Sequence, residues 1–141
     1  MKGEQLYRIG HFFYLHSMKL LAKLFDCLNY LLHNSYIPST CMIGVGSKFA
    51  YGGIGMVIHA RTAIERHCMI WQGVTIGGKS ESKGAPVIED NVFIGAGGVV
   101  VRDVTPFSVV AGVSAKIVDR ITYETFKSKY QYYYRPLNYR E

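Results

Sequence analysis

The run Ile58-His-Ala-Arg-Thr-Ala-Ile64-Glu-Arg-His-Cys-Met-Ile70-Trp-Gln-Gly-Val-Thr-Ile76 carries an aliphatic side chain at every sixth position. The same phase resumes twelve residues later with Ile88, Ile94 and Val100. A strand alternates with period two and an α-helix with 3.6, so neither explains a strict six. Four positions after each aliphatic stands a small or β-branched residue: Thr62, Cys68, Val74, then Val92 and Gly98. A fixed repeat of this kind predicts a solenoid, in which three hexads, about eighteen residues, close one triangular coil. The aliphatic residue fills the interior and the small one eases the corner.

Two interruptions break the phase. Ile43 and Phe49 are six apart but Phe49 and Ile58 are nine apart, which predicts a three-residue protrusion near Tyr51-Gly52-Gly53. Between Ile76 and Ile88, the segment from Gly77 to Pro86 is polar and rich in Gly and Ser, the composition of an extruded loop. The chain has 15 glycines among 141 residues and only 4 prolines, and the excess over the usual ~7% glycine points to tight turns rather than disorder.

Upstream, residues 1–36 read as a helical segment. Leu6, Ile9, Phe12 and Phe13 suit a first helix, the polar His16-Ser17 pair a bend, and Leu21, Leu24, Phe25, Leu28, Leu31 and Leu32 the packing face of an amphipathic second helix. Lys19, Lys23 and Asp26 then fall on the solvated side. The helices are expected to pack on their own domain or on a neighbouring subunit, with association at a membrane surface as the lesser alternative. Downstream, residues 119–141 form an aromatic and basic extension, expected to cover the open end of the solenoid.

A chain of 141 residues that is 49% hydrophobic is one domain's worth of material. Its net charge of +6 suits an anionic partner such as a phosphorylated small molecule. Nucleic acid is the less favoured partner. Cys27, Cys41 and Cys68 are odd in number and lack motif spacing, so they are expected as free thiols in a reducing compartment, with the protein cytoplasmic and without a metal site.

Four stretches carry a resemblance: Ile70-Trp-Gln-Gly-Val-Thr-Ile-Gly-Gly78, the loop ending in Pro86, Ile94-Gly-Ala-Gly97, and Val109-Val-Ala-Gly-Val-Ser-Ala-Lys116. Together they resemble the serine acetyltransferase branch of the hexapeptide-repeat acyltransferases, including its polysaccharide-related members. The resemblance spans residues 37–118. It implies a mainly β fold: a single-stranded left-handed parallel β-helix with N-terminal amphipathic helices and a C-terminal extension. It further implies a homotrimer that holds acetyl-CoA as acyl donor in grooves between solenoids, bordered by Gly77, Gly78, Lys79, Ala96, Ala111 and Lys116. The two histidines usual in serine acetyltransferases would fall at Gly52 and Ala85 of this chain and are absent.

Acetyl transfer to a hydroxyl needs a base, and imidazole suits neutral pH. Within the solenoid the candidates are His59 and His67, of which His59, in a Val57-Ile58-His59 element found in the polysaccharide-related relatives, is the expected catalytic base. Glu65 or Asp90 could orient it. Lys79, Lys83 and Lys116 offer charge for the coenzyme phosphates. The expected function is acetyl transfer from acetyl-CoA to a sugar or polysaccharide-pathway hydroxyl. The alternatives are serine O-acetylation or a non-catalytic binding scaffold.

Overall fold

A computed structural model describes residues 1–77 and 84–131. Helix α1 (Gly3–Leu15) and helix α2 (Lys19–His33) come first, with Ser17 at a φ of +60° turning the chain between them. Nine two-residue strands and two longer ones follow: β1 (Met42–Ile43), β2 (Lys48–Phe49), β3 (Val57–Ile58), β4 (Ala63–Ile64), β5 (Met69–Ile70), β6 (Thr75–Ile76), β7 (Val87–Ile88), β8 (Phe93–Ile94), β9 (Val99–Val100), β10 (Ser108–Ala111) and β11 (Lys116–Arg120). From β1 to β9 every third strand pairs in parallel, and β10 and β11 extend the second sheet, giving the orders β1-β4-β7, β2-β5-β8-β10-β11 and β3-β6-β9. That topology is a three-sided coil, the arrangement a six-residue period demands.

The register reports the coil length directly. Val57 pairs with Thr75, eighteen residues on. Met42 pairs with Ala63, twenty-one on, because a 3-10 turn at Ala50–Gly53 inserts three residues, with Tyr51 and Gly52 both at positive φ. Ala63 pairs with Val87, twenty-four on, because that coil contains the Gly77 to Pro86 segment. Inside, Ile58, Ile70, Ile76, Ile88 and Ile94 are fully buried, as are the corner residues Thr62, Val74 and Val92.

Helix α1 seals the first coil. The edge strands β1 and β2 have no coil above them, so their backbone groups need other partners. Tyr7 Oη donates to Cys41 O (2.7 Å) and accepts from Ile43 N (3.1 Å). Arg8 donates to Ile43 O and Gly44 O, and Glu4 Oε2 accepts from Phe49 N (2.9 Å). Burial pushes the Tyr7 phenol well above its ordinary range, so it stays a neutral donor.

Helix α2 docks by a side that shares only its flank with the predicted face: Phe25 and Leu28 are half-buried. Ala22 and Asn29 are buried, whereas Leu24, Leu31 and Leu32 of that face are exposed, at 51%, 71% and 65%. The reason is steric and polar together. A Cβ at Gly10 would lie 3.1 Å from Phe25 Cβ and 3.6 Å from Ala22 O, so the absence of a side chain on α1 lets it approach the Ala22–Phe25 turn of α2 closely. Asp26 also lies on this side: Oδ1 accepts from Ser39 N (2.8 Å), and burial raises its pKa. Asp26 is therefore a buried-side anchor rather than a solvated residue. No helix among the described residues is long and apolar enough to cross a membrane.

At the other end β11 turns back antiparallel along β10, and the segment after it, a short turn of helix and Phe126–Tyr130, folds over the outer face of the second sheet. Ile121 joins Phe93 and Val109 there, with Phe126 and Tyr130 packed on them. Tyr130 Oη donates to Asp119 Oδ2 (2.9 Å), and that bond heads the contacts that lower the Asp119 pKa. The tail thus covers the edge of one sheet and part of its face. Residues 132–141 lie outside the described residues.

Candidate functional site

One corner of the coil, between the second and third sheets, is a bare ridge. Asn34, Gly55, Gly73 and Gly97 stack along it, all at positive φ (+51°, +68°, +68° and +68°). Rung-to-rung hydrogen bonds run from Gly55 N to His33 O (3.1 Å), from Gly73 N to Ile54 O (2.9 Å) and from Gly97 N to Gln72 O (3.0 Å). His33, Ile54, Gln72 and Ala96 therefore occupy equivalent positions on successive coils, each just before the left-handed residue. The left-handed turn favours glycine, and side chains absent at three of the four rungs leave backbone open to a ligand.

The lower end of this ridge gathers three of the expected coenzyme residues. Ala96 is exposed at the corner. Ala111 ends β10, and a Cβ at Gly95 would lie 3.2 Å from the Ala111 Cβ, which places Ala111 directly beside that corner. Lys116 is exposed and pairs with Ala111 across the β10–β11 hairpin. Gly97 and Gly112 have nothing within 4 Å of where a Cβ would sit.

His59 and Gly77 lie on a different corner, beyond the third sheet. His59 N donates to Ile76 O (2.8 Å) and Gly77 N to Val100 O (3.0 Å), so the two residues are neighbours on consecutive coils. Gly78 and Lys79 lie outside the described residues, as does Lys83. His59 Nδ1 accepts from Arg61 N (3.1 Å). A neutral ring in that pose carries its proton on Nε2, so its free edge donates rather than accepts. Asp90 Oδ1 accepts from Arg66 N (2.9 Å), and neither Asp90 nor Glu65 bonds a histidine among the described residues. His67 sits at a φ of +55° with its ring over Gly46.

The remaining histidines come from the helices. His11 Nδ1 meets Ser39 O (2.7 Å) and His16 Nδ1 meets Phe12 O (2.8 Å). His33, at the last residue of α2, differs from both: its Nδ1 is buried without a partner. Its ring adjoins the inserted turn, Cδ2 lying 3.9 Å from where a Cβ at Gly52 would sit. Tyr51 of the same turn lies tilted against Trp71, ring centroids 6.0 Å apart, and Trp71 against Phe93 at 5.9 Å. One sign of His33 is visible in the sequence: Asn29 and His33 stand one helical turn apart on an otherwise leucine-rich helix. Among the described residues no group of three or more His, Cys, Asp or Glu is arranged to hold a metal ion.

Known proteins bear on this geometry. No protein-family model matches the chain. Serine acetyltransferase of Synechococcus elongatus is 30% identical over 134 residues, covering 81% of this chain and 54% of its own length. A solved serine acetyltransferase in complex with CoA superposes with a TM-score of 0.67 at 28% identity, covering 82% of this chain and 55% of that one. Another in complex with cysteine gives 0.68 at 28% identity, with 85% and 54% covered. The chain thus spans about half the length of the relatives it matches. The relatives' names carry serine as acceptor and lend nothing to a saccharide, so the expectation of a sugar acceptor, drawn from Val57-Ile58-His59, is set aside.

Proposed function

We propose that this chain transfers the acetyl group of acetyl-CoA to the hydroxyl of serine or a similarly small acceptor. The observation that carries this reading is the bare ridge ending at Ala96, Ala111 and Lys116, in a coil that resembles a serine acetyltransferase solved with CoA. A ridge without side chains at three rungs lets the amide-rich pantetheine arm lie close against the backbone, and Lys116 supplies charge for a phosphate. Gly77, at the neighbouring corner, belongs to the same reading, as do Gly78 and Lys79, which lie outside the described residues. The third sheet separates Gly77 from Ala96, Ala111 and Lys116 within one chain. A left-handed coil assembled as a homotrimer would set one corner against the next subunit and unite them in a groove.

In the reaction, the acceptor oxygen attacks the thioester carbonyl carbon while a histidine takes the hydroxyl proton. The carbon–sulfur bond then breaks and the thiolate recovers that proton, leaving free CoA and the acetyl ester. The two imidazoles on the corners flanking the third sheet are His33 and His59. A direct test combines thermal melting with thiol release. Saturating acetyl-CoA should raise the melting temperature, since a ligand held only by the folded state stabilises it. Free thiol should then appear only when serine is added. A chain that neither gains stability nor releases thiol is not this enzyme.

A further inference from the structure

We infer that His33, contributed by helix α2 and not by the solenoid repeats, is the general base of the proposed acetyl transfer. The inference rests on the acetyltransferase reading and names the residue that performs its proton transfer. Three observations carry it.

The first is position. His33 is the uppermost member of the corner column that continues through Ile54 and Gln72 to Ala96. Strand-to-strand spacing is about 4.8 Å, so three rungs separate His33 from Ala96 by about 14 Å along the ridge. A coenzyme whose nucleotide end lies near Lys116 can extend its pantetheine arm up that ridge, bringing the thioester toward the imidazole. His67 lies at another corner, and His59 beyond the third sheet.

The second is the state of the ring. His11 and His16 have Nδ1 bound to carbonyl oxygens, and His59 has its Nδ1 lone pair occupied by the Arg61 N–H. The imidazole of His33 makes no hydrogen bond to the described residues. Its Nδ1 is buried, while Nε2 is not among the buried polar atoms lacking a partner. A buried polar atom left unpaired gives up its hydration without compensation, so such an atom calls for a role.

The third is Asn29. One turn earlier on the same side of α2, its Nδ2 donates to Gly3 O (2.9 Å) while its Oδ1 is also buried and unpaired. A Cβ at Gly3 would lie 3.0 Å from Asn29 Oδ1 and would also meet Gly52 O, and the His33 ring adjoins Gly52, so an acceptor without a donor and a ring nitrogen without a partner lie on either side of the same Gly3–Gly52 contact. With the proton of neutral His33 on Nδ1, the two become complementary, through one bridging water or a small rotation. The Nε2 lone pair is then left for the acceptor hydroxyl. The proton taken at Nε2 passes to the departing thiolate, and the ring returns to its neutral form.

The experiment uses the full chain with His33→Ala, His33→Gln and His59→Ala, following thiol release from acetyl-CoA with L-serine and measuring acetyl-CoA affinity by calorimetry. Both His33 variants should lose about 10²–10⁴ in kcat with acetyl-CoA affinity and melting temperature nearly unchanged. Added imidazole should restore turnover to His33→Ala, a rescue that a purely structural role would not give. His59→Ala should lose less than either. The assignment is overturned if both His33 variants retain wild-type kcat, if His59→Ala loses more, or if the His33 loss follows weakened coenzyme binding and resists imidazole. If the unaltered chain binds acetyl-CoA but releases no thiol with serine, the reaction fails and the base assignment with it.

Discussion

At the scale of single residues, the interior isoleucines and the cysteines give the clearest expectations. Ile70 and Ile94 are fully buried in successive coils of one column, so replacing either by Ala should cost about 2–5 kcal/mol in a denaturation series. Val57, on the outer face of its strand and 46% exposed, should cost far less. Equal losses would refute the inward register. Cys41 and Cys68 are buried, and burial pushes their thiols up to about 12 and about 11, whereas Cys27 is exposed. The thiolate is the reactive form. A thiol reagent at pH 8 should therefore modify Cys27 rapidly and the other two only on unfolding; fast labelling of all three would contradict their placement. The isoleucines, and Cys68 as a corner residue, were legible in the sequence because a solenoid interior is set locally, each isoleucine answering only to neighbours one coil away; that Cys41 is buried and Cys27 exposed was not. His33 was not legible: its place in the corner column depends on how α2 meets the first coil.

At the scale of elements, the helical hairpin shows where pattern and packing part. The leucines of α2 mark an amphipathic helix, and its existence followed from their spacing. Their spacing reports where apolar side chains lie, not which side docks. Docking went to the side with Ala22, Asp26 and Asn29, because Gly10 of α1 allows close approach there and Ser39 supplies the partner that Asp26 requires. Ala22→Leu should therefore overpack the crossing and destabilise the chain by about 1–3 kcal/mol. A neutral or stabilising result, read from the same denaturation series, would mean that α2 packs by its leucines after all. The inserted turn at Tyr51-Gly52 was legible as three surplus residues. That it would stand against the end of α2 was not, since the two are joined only through tertiary contact.

At the scale of the whole molecule, the chain is a solenoid closed at one end by side chains of α1 and bordered at the other by β11 along one sheet edge, with the segment that follows folded over that sheet's outer face. The closure explains how so few coils hold together: backbone groups that a further coil would satisfy are met by Tyr7, Arg8 and Glu4 at one end and by an antiparallel strand at the other. It also leaves one corner free along its length, and the proposed chemistry lies on that corner. The most direct test is mass spectrometry of the products after the full chain is incubated with acetyl-CoA and L-serine. The account predicts free CoA and serine carrying one acetyl ester, in equal amounts and only with both substrates present. Folded chain that binds acetyl-CoA yet leaves serine unmodified would contradict it.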